Sequence, residues 1–130
     1  MKKYMSLKAT AAAFPENKVS TEALLSHMQS ITSAEFKKTL QTLGIHTRHV
    51  ALENYAQYLT GEAERELSIT TTELAVKSAC ECIASAAINP KEIGLLISIT
   101  NTASRFLPCT AYEMVGEMNT ILDNSLNVIN

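Results

Sequence analysis

Residues 70–100 read TTTELAVKSACECIASAAINPKEIGLLISIT, and this stretch decides the architecture. Thr70-Thr71-Thr72-Glu73 is a capping box: a threonine hydroxyl accepts the backbone N–H three residues on, while Glu73 reaches back. Beyond it Ala75, Ala79, Cys82, Ile83 and Ala86 fall on one face at helical spacing. That face is built almost wholly from small side chains, which let a helix backbone approach its neighbour closely. The spacing therefore predicts a buried helix, ended at Asn89-Pro90 because proline disfavours the α conformation in its predecessor. Gly94 to Thr100 is a short apolar run bounded by turn signals, the pattern of a strand covered on both faces.

The flanking segments extend this alternation. Leu7, Ala9, Ala11 and Ala13 recur at period two and read as an opening strand ending at Phe14-Pro15. A turn over Pro15 to Lys18 follows, and Ser20 or Thr21 caps a short helix carrying Ala23, Leu24, Leu25 and Met28. A second short helix runs from Ser33, with Phe36, Leu40 and Leu43 at helical spacing, and Gly44 stops it. His46 to Leu52 reads as extended and residues 53–67 as an acidic, polar connection. On the other side, Asn101 to Leu107 is a polar loop, Pro108 suits a first helical turn, and Ala111, Met114, Val115 and Met118 continue that helix. Leu126 to Asn130 begins another strand. The fold class is α/β, with a mixed, largely parallel sheet.

Composition narrows the function classes. Apolar residues are 46% and charged residues 18% of 130, which excludes disorder of the whole chain. Eleven basic against thirteen acidic residues give a net charge of −2, no footprint for nucleic acid. Apolar runs fall far short of a membrane span. Lys2 and Lys3 are followed by only a few apolar residues before Lys8, so no secretory signal is read. Three cysteines, Cys80, Cys82 and Cys109, have no framework spacing and fit a reducing cytoplasm.

Local motifs name no catalytic group. Cys80 and Cys82 lie roughly 200° apart around a helix and cannot chelate one metal, so core packing is the simpler role. Cys109 stands at a predicted helix N-terminus, where the dipole can lower a thiol pKa, but a lone thiol there is more often inert. His27 falls on a polar helix side and reads as solvated. His46 and His49 point to opposite faces of a strand, a poor ligand set. Glu62, Glu64 and Glu66 read as a solvated surface.

Taken together, the segments resemble the opening third of a thiolase-superfamily condensing enzyme, of the β-ketoacyl-acyl-carrier-protein synthase III and chalcone-synthase-like group. Four stretches carry the likeness: Thr10 to Thr21 with its proline turn; Leu43-Gly44-Ile45-His46-Thr47-Arg48, similar to a Thr-Gly-Ile-x-x-Arg segment; Leu74 to Ile99; and Thr100-Asn101-Thr102 with Leu107-Pro108 and the helix beyond. The resemblance implies that residues 1–130 are the N-terminal portion of a thiolase-like ketosynthase, a partial fold with a buried Ala-rich helix, completed by another chain or segment. It implies that the strand starting at Leu126 leads to the nucleophilic cysteine, which would fall just past Asn130, and that the His and Asn come later still. No catalytic residue therefore carries over to this chain, which is not active alone.

Further expectations follow from the same resemblance. The substrate is an acyl-CoA or acyl-carrier-protein thioester, with no covalently bound cofactor and no metal. The positions that hold coenzyme A adenine in some members read Lys38 and Thr42 here, leaving a carrier-protein thioester as the open alternative. The implied partners are a second chain carrying the Cys/His/Asn half, a twofold mate of the assembly, and an acyl carrier protein, with no nucleic acid and no membrane span. Leu107, with Phe106, becomes the substrate-binding candidate, lining an acyl tunnel from a loop that crosses the dimer interface; plain interface packing is the alternative for Leu107. The activity expected is that of part of a cytoplasmic acyltransferase of fatty acid or polyketide biosynthesis. The competing reading is a non-catalytic partner that stabilises or regulates a condensing enzyme.

Overall fold

Ser20 and Ser33 are each extended at their own φ/ψ and each opens a helix, because each hydroxyl accepts a backbone N–H three residues on. The computed structural model describes residues 5–28, 33–103, 107–123 and 126. The chain divides into two compact units, residues 14–70 and residues 1–13 with 71–130.

In the unit of residues 14–70, β1 (Lys18–Ser20) leads directly into α1 (Thr21–His27), capped by Ser20 Oγ at 3.0 Å from the Ala23 N–H. Helix α2 (Ala34–Thr42) is capped by Ser33 Oγ at 3.2 Å from the Phe36 N–H and buries none of its residues. Gly44, at φ +68°, ends that run in the left-handed region where glycine carries no Cβ penalty. Then β2 (Thr47–His49) pairs antiparallel with β1, Val19 opposite Arg48. The pairing extends by one bond, Val50 N–H to the Asn17 carbonyl at 3.0 Å. Strand β1 begins within what reads locally as a turn, because its partner lies about thirty residues away and local propensity does not register that ladder.

A helix absent from the sequence reading, α3 (Tyr55–Thr60), sits in the connection over residues 53–67. Six residues are too few to be stable alone. Its neighbours hold it: the Asn54 amide donates to the Glu64 carbonyl at 2.8 Å, and its oxygen accepts the Glu66 N–H at 3.2 Å. Gly61, at φ +76°, closes the helix. His27, expected to be solvated, instead stands half-buried with its ring edge-on to Tyr55 at 5.7 Å. The acidic side chains Glu62, Glu64 and Glu66 are exposed.

In the second unit, α4 (Thr71–Ala86) packs against α5 (Thr110–Ile121). Val76, Met114 and Met118 form the buried cluster, with Ala75, Ala79, Cys80, Ile83, Leu96, Leu122 and Leu126 against it. Of the small-residue stripe, Ala75, Ala79 and Ile83 pack against this cluster but stay half-buried; Thr72 and Val76 are the buried residues of α4, so the helix is less buried than its spacing predicts. Helix α4 stops at Ala86, before the expected Asn89-Pro90 break, with Ala87 left-handed at φ +51°. Pro90 opens a separate 3-10 turn, Pro90–Glu92, capped by the Asn89 side chain. Pro108 precedes the N-cap, Cys109, and so lies outside the first turn of α5.

The strand read over Gly94 to Thr100 is not covered on both faces. No strand is assigned there among the described residues, and burial alternates along it. Leu96 packs on the core, whereas Leu95, Ile97 and Ile99 are 72%, 73% and 92% exposed. A run of apolar residues cannot by itself say whether both its faces have partners, and here one face has none within the described chain. Over residues 7–13 the expected strand likewise has no assigned ladder; Ala9, Ala11 and Ala13 are half-buried and Leu7 is exposed. The strand read from Leu126 falls, beyond Leu126 itself, outside the described residues.

Candidate functional site

Three segments of the second unit meet along one side of α4. Ala75, Ser78, Ala79 and Cys82 of that helix, Thr10 and Ala11, and Ile97 to Ile99, with Met114, line an open groove of about 450 Å³. Ser78 anchors one wall: its hydroxyl donates to the Ala11 carbonyl at 3.1 Å, a bond that spans 67 positions of sequence. Such side-chain bonds satisfy backbone groups left without a ladder partner. The groove wall has no charged side chain; Thr10, Ser78 and Ser98 stand among alanine, isoleucine, methionine and cysteine side chains.

The cysteines are free. Cys82 lines the groove and Cys80 faces the core, as their angular separation on a helix requires. Burial pushes the Cys80 thiol above its ordinary value, which disfavours the nucleophilic thiolate. Cys109 is exposed as the N-cap of α5 and makes no side-chain capping bond. Among the described residues no group of three His, Cys, Asp or Glu is placed to hold a metal ion.

Leu107, the substrate-binding candidate, stands 85% exposed at a cis peptide bond with Pro108, three residues ahead of α5. Phe106, its companion, lies outside the described residues. The same end of α5 is tied to α4 by a polar contact: buried Thr72 donates to the Glu113 carboxylate at 2.9 Å. The loop before Leu107 starts with a local turn in which Thr100 Oγ1 accepts the Thr102 N–H at 3.0 Å.

In the first unit the Gly44-Ile45-His46 turn is pinned to the start of α1. The Thr21 N–H donates to the His46 carbonyl at 2.9 Å, the Thr21 hydroxyl donates to the Ile45 carbonyl, and Arg48 Nη1 donates to the same hydroxyl at 2.6 Å. The bond from Arg48 to Thr21 joins residues 27 positions apart, which no local signal reveals. His49, read as a poor metal ligand, has Nδ1 2.5 Å from the Pro15 carbonyl and its ring tilted against Phe14 at 5.1 Å. Lys38 and Thr42 are exposed on α2.

Two solved structures share this fold. A tetronic acid condensing enzyme superposes on 94% of this chain with a TM-score of 0.62 at 22% identity. The 3-oxoacyl-(acyl carrier protein) synthase III of Xanthomonas oryzae pv. oryzae superposes on 96% with a TM-score of 0.59 at 18% identity. The fold is that of thiolase-like condensing enzymes. The chain spans 31% of the length of each of these neighbours, so the thiolase-like fold here is a partial one. No family model and no curated protein matches the sequence. No helix among the described residues is long and apolar enough to cross a membrane.

Proposed function

We propose that this chain is a subunit or segment of a decarboxylative acyl-thioester condensing enzyme of fatty acid or polyketide type. It contributes scaffold, dimer interface and acyl tunnel, while another chain or segment supplies the Cys, His and Asn. The observation that carries this reading is the fold match over nearly the whole chain to about a third of two condensing enzymes. The exposed Leu95, Ile97 and Ile99 support it, since an apolar face of that kind requires a cover. An odd number of cysteines without framework spacing supports a cytoplasmic setting.

In this mechanism the cysteine thiolate attacks the acyl thioester and expels the carrier thiol, leaving an acyl-enzyme. Backbone N–H donors hold the oxyanion of the tetrahedral intermediate. A malonyl-type extender then loses carbon dioxide, and its enolate carbon attacks the acyl-enzyme and releases the cysteine. Coenzyme A or an acyl carrier protein brings the thioester. The alkyl chain of the acyl group lies in the tunnel, with Leu107 of the twofold mate at its floor.

The test uses the native protein that contains this chain, loaded with a short acyl thioester and mapped by mass spectrometry. The acyl group is expected on a cysteine outside residues 1–130. Acylation of Cys80, Cys82 or Cys109 overturns the assignment, and loading of nothing in the assembly replaces it with a non-catalytic partner role. In the same assembly L107F should exclude longer acyl donors and L107A admit them, since a methylene or two in an apolar pocket is worth roughly 1–3 kcal/mol. A uniform fall in rate across chain lengths makes Leu107 an interface residue only.

A further inference from the structure

We draw no further inference here: the strongest candidate, the groove along α4 with Cys82 in its wall and the exposed Leu95, Ile97 and Ile99 on the neighbouring segment, carries nothing beyond the reading already proposed, because nothing in the structure shows what covers it.

Discussion

The two units of the chain hold themselves together by different means. Residues 14–70 form short elements, strands of three residues and helices of six to nine. Among the described residues of this unit, those buried are Val19, Thr21 and Leu25. Polar bonds across long sequence separations do the joining, from Arg48 to Thr21, from the Asn17 amide to the Leu52 carbonyl at 3.1 Å, and through both ends of the Asn54 amide. The other unit instead lays α4, of sixteen residues, against α5, of twelve, through Val76, Met114 and Met118. Short elements bury little apolar area, so their arrangement depends on directional bonds. The longer helices instead gather their buried apolar side chains into one cluster, Val76, Met114 and Met118.

The sharpest way to break this contrast is at Met118, 1% exposed in the helix pair. M118A should destabilise the intact protein by about 2–5 kcal/mol, the usual range for truncating a buried methionine. Denaturant midpoints measure it. A loss well under 1 kcal/mol would mean that packing does not dominate this unit.

The corresponding test of the polar unit is Thr21, whose hydroxyl sits between Arg48 and the Ile45 carbonyl. T21V keeps the shape and removes both bonds, at an expected cost of about 1–3 kcal/mol because the Ile45 carbonyl loses its hydroxyl donor. T21S retains the hydroxyl and should recover most of that. If the valine variant unfolds at the same denaturant concentration as the parent, directional bonding is not what fixes the ribbon.

What was legible beforehand follows the same division. Local signals narrow the first cap to Ser20 or Thr21, start a helix at Ser33, and place the stop at Gly44 and the periodic faces of α4 and α5. Helix α3 and strand β1 escaped because tertiary partners, Asn54 with the 64–66 backbone and β2, create them. The groove escaped for the same reason, since its walls come from residues near 10, 80 and 98. The order of four segments carried the fold, where each segment alone is weak, and superposition on two condensing enzymes agrees with it. Leu107 was nominated by resemblance, because nothing in its neighbouring residues marks it chemically.

Thiol labelling sharpens the comparison without perturbing the fold. Cys109 is exposed, whereas Cys80 lies against the helix-pair core and its thiol is pushed up by burial. Alkylation at mildly alkaline pH should therefore modify Cys109 first and Cys80 slowly, with the Cys80 rate climbing as pH rises and the thiolate forms. Peptide mass spectrometry reads the order. Modification of Cys80 as fast as that of Cys109 would show that the packed unit opens freely.

The smallest expected effect belongs to Glu22, in the first turn of α1. Hydrogen bonding to its own backbone N–H and then to the Ser20 hydroxyl holds its carboxyl below the ordinary glutamate value, against a smaller opposing effect of desolvation, with His46 adding the least. A carboxylate whose pKa is lowered on folding stabilises the folded state above its unfolded pKa, and that contribution disappears as pH falls through the folded value. Glu22→Gln should accordingly melt slightly below the parent at neutral pH, and the two should converge as pH drops below the ordinary glutamate range. The side chain is fully exposed, so added salt should shrink the difference as well. A melting difference that stays constant or widens on acidification would mean that charge at the start of α1 contributes nothing, leaving the polar unit to its neutral hydrogen bonds.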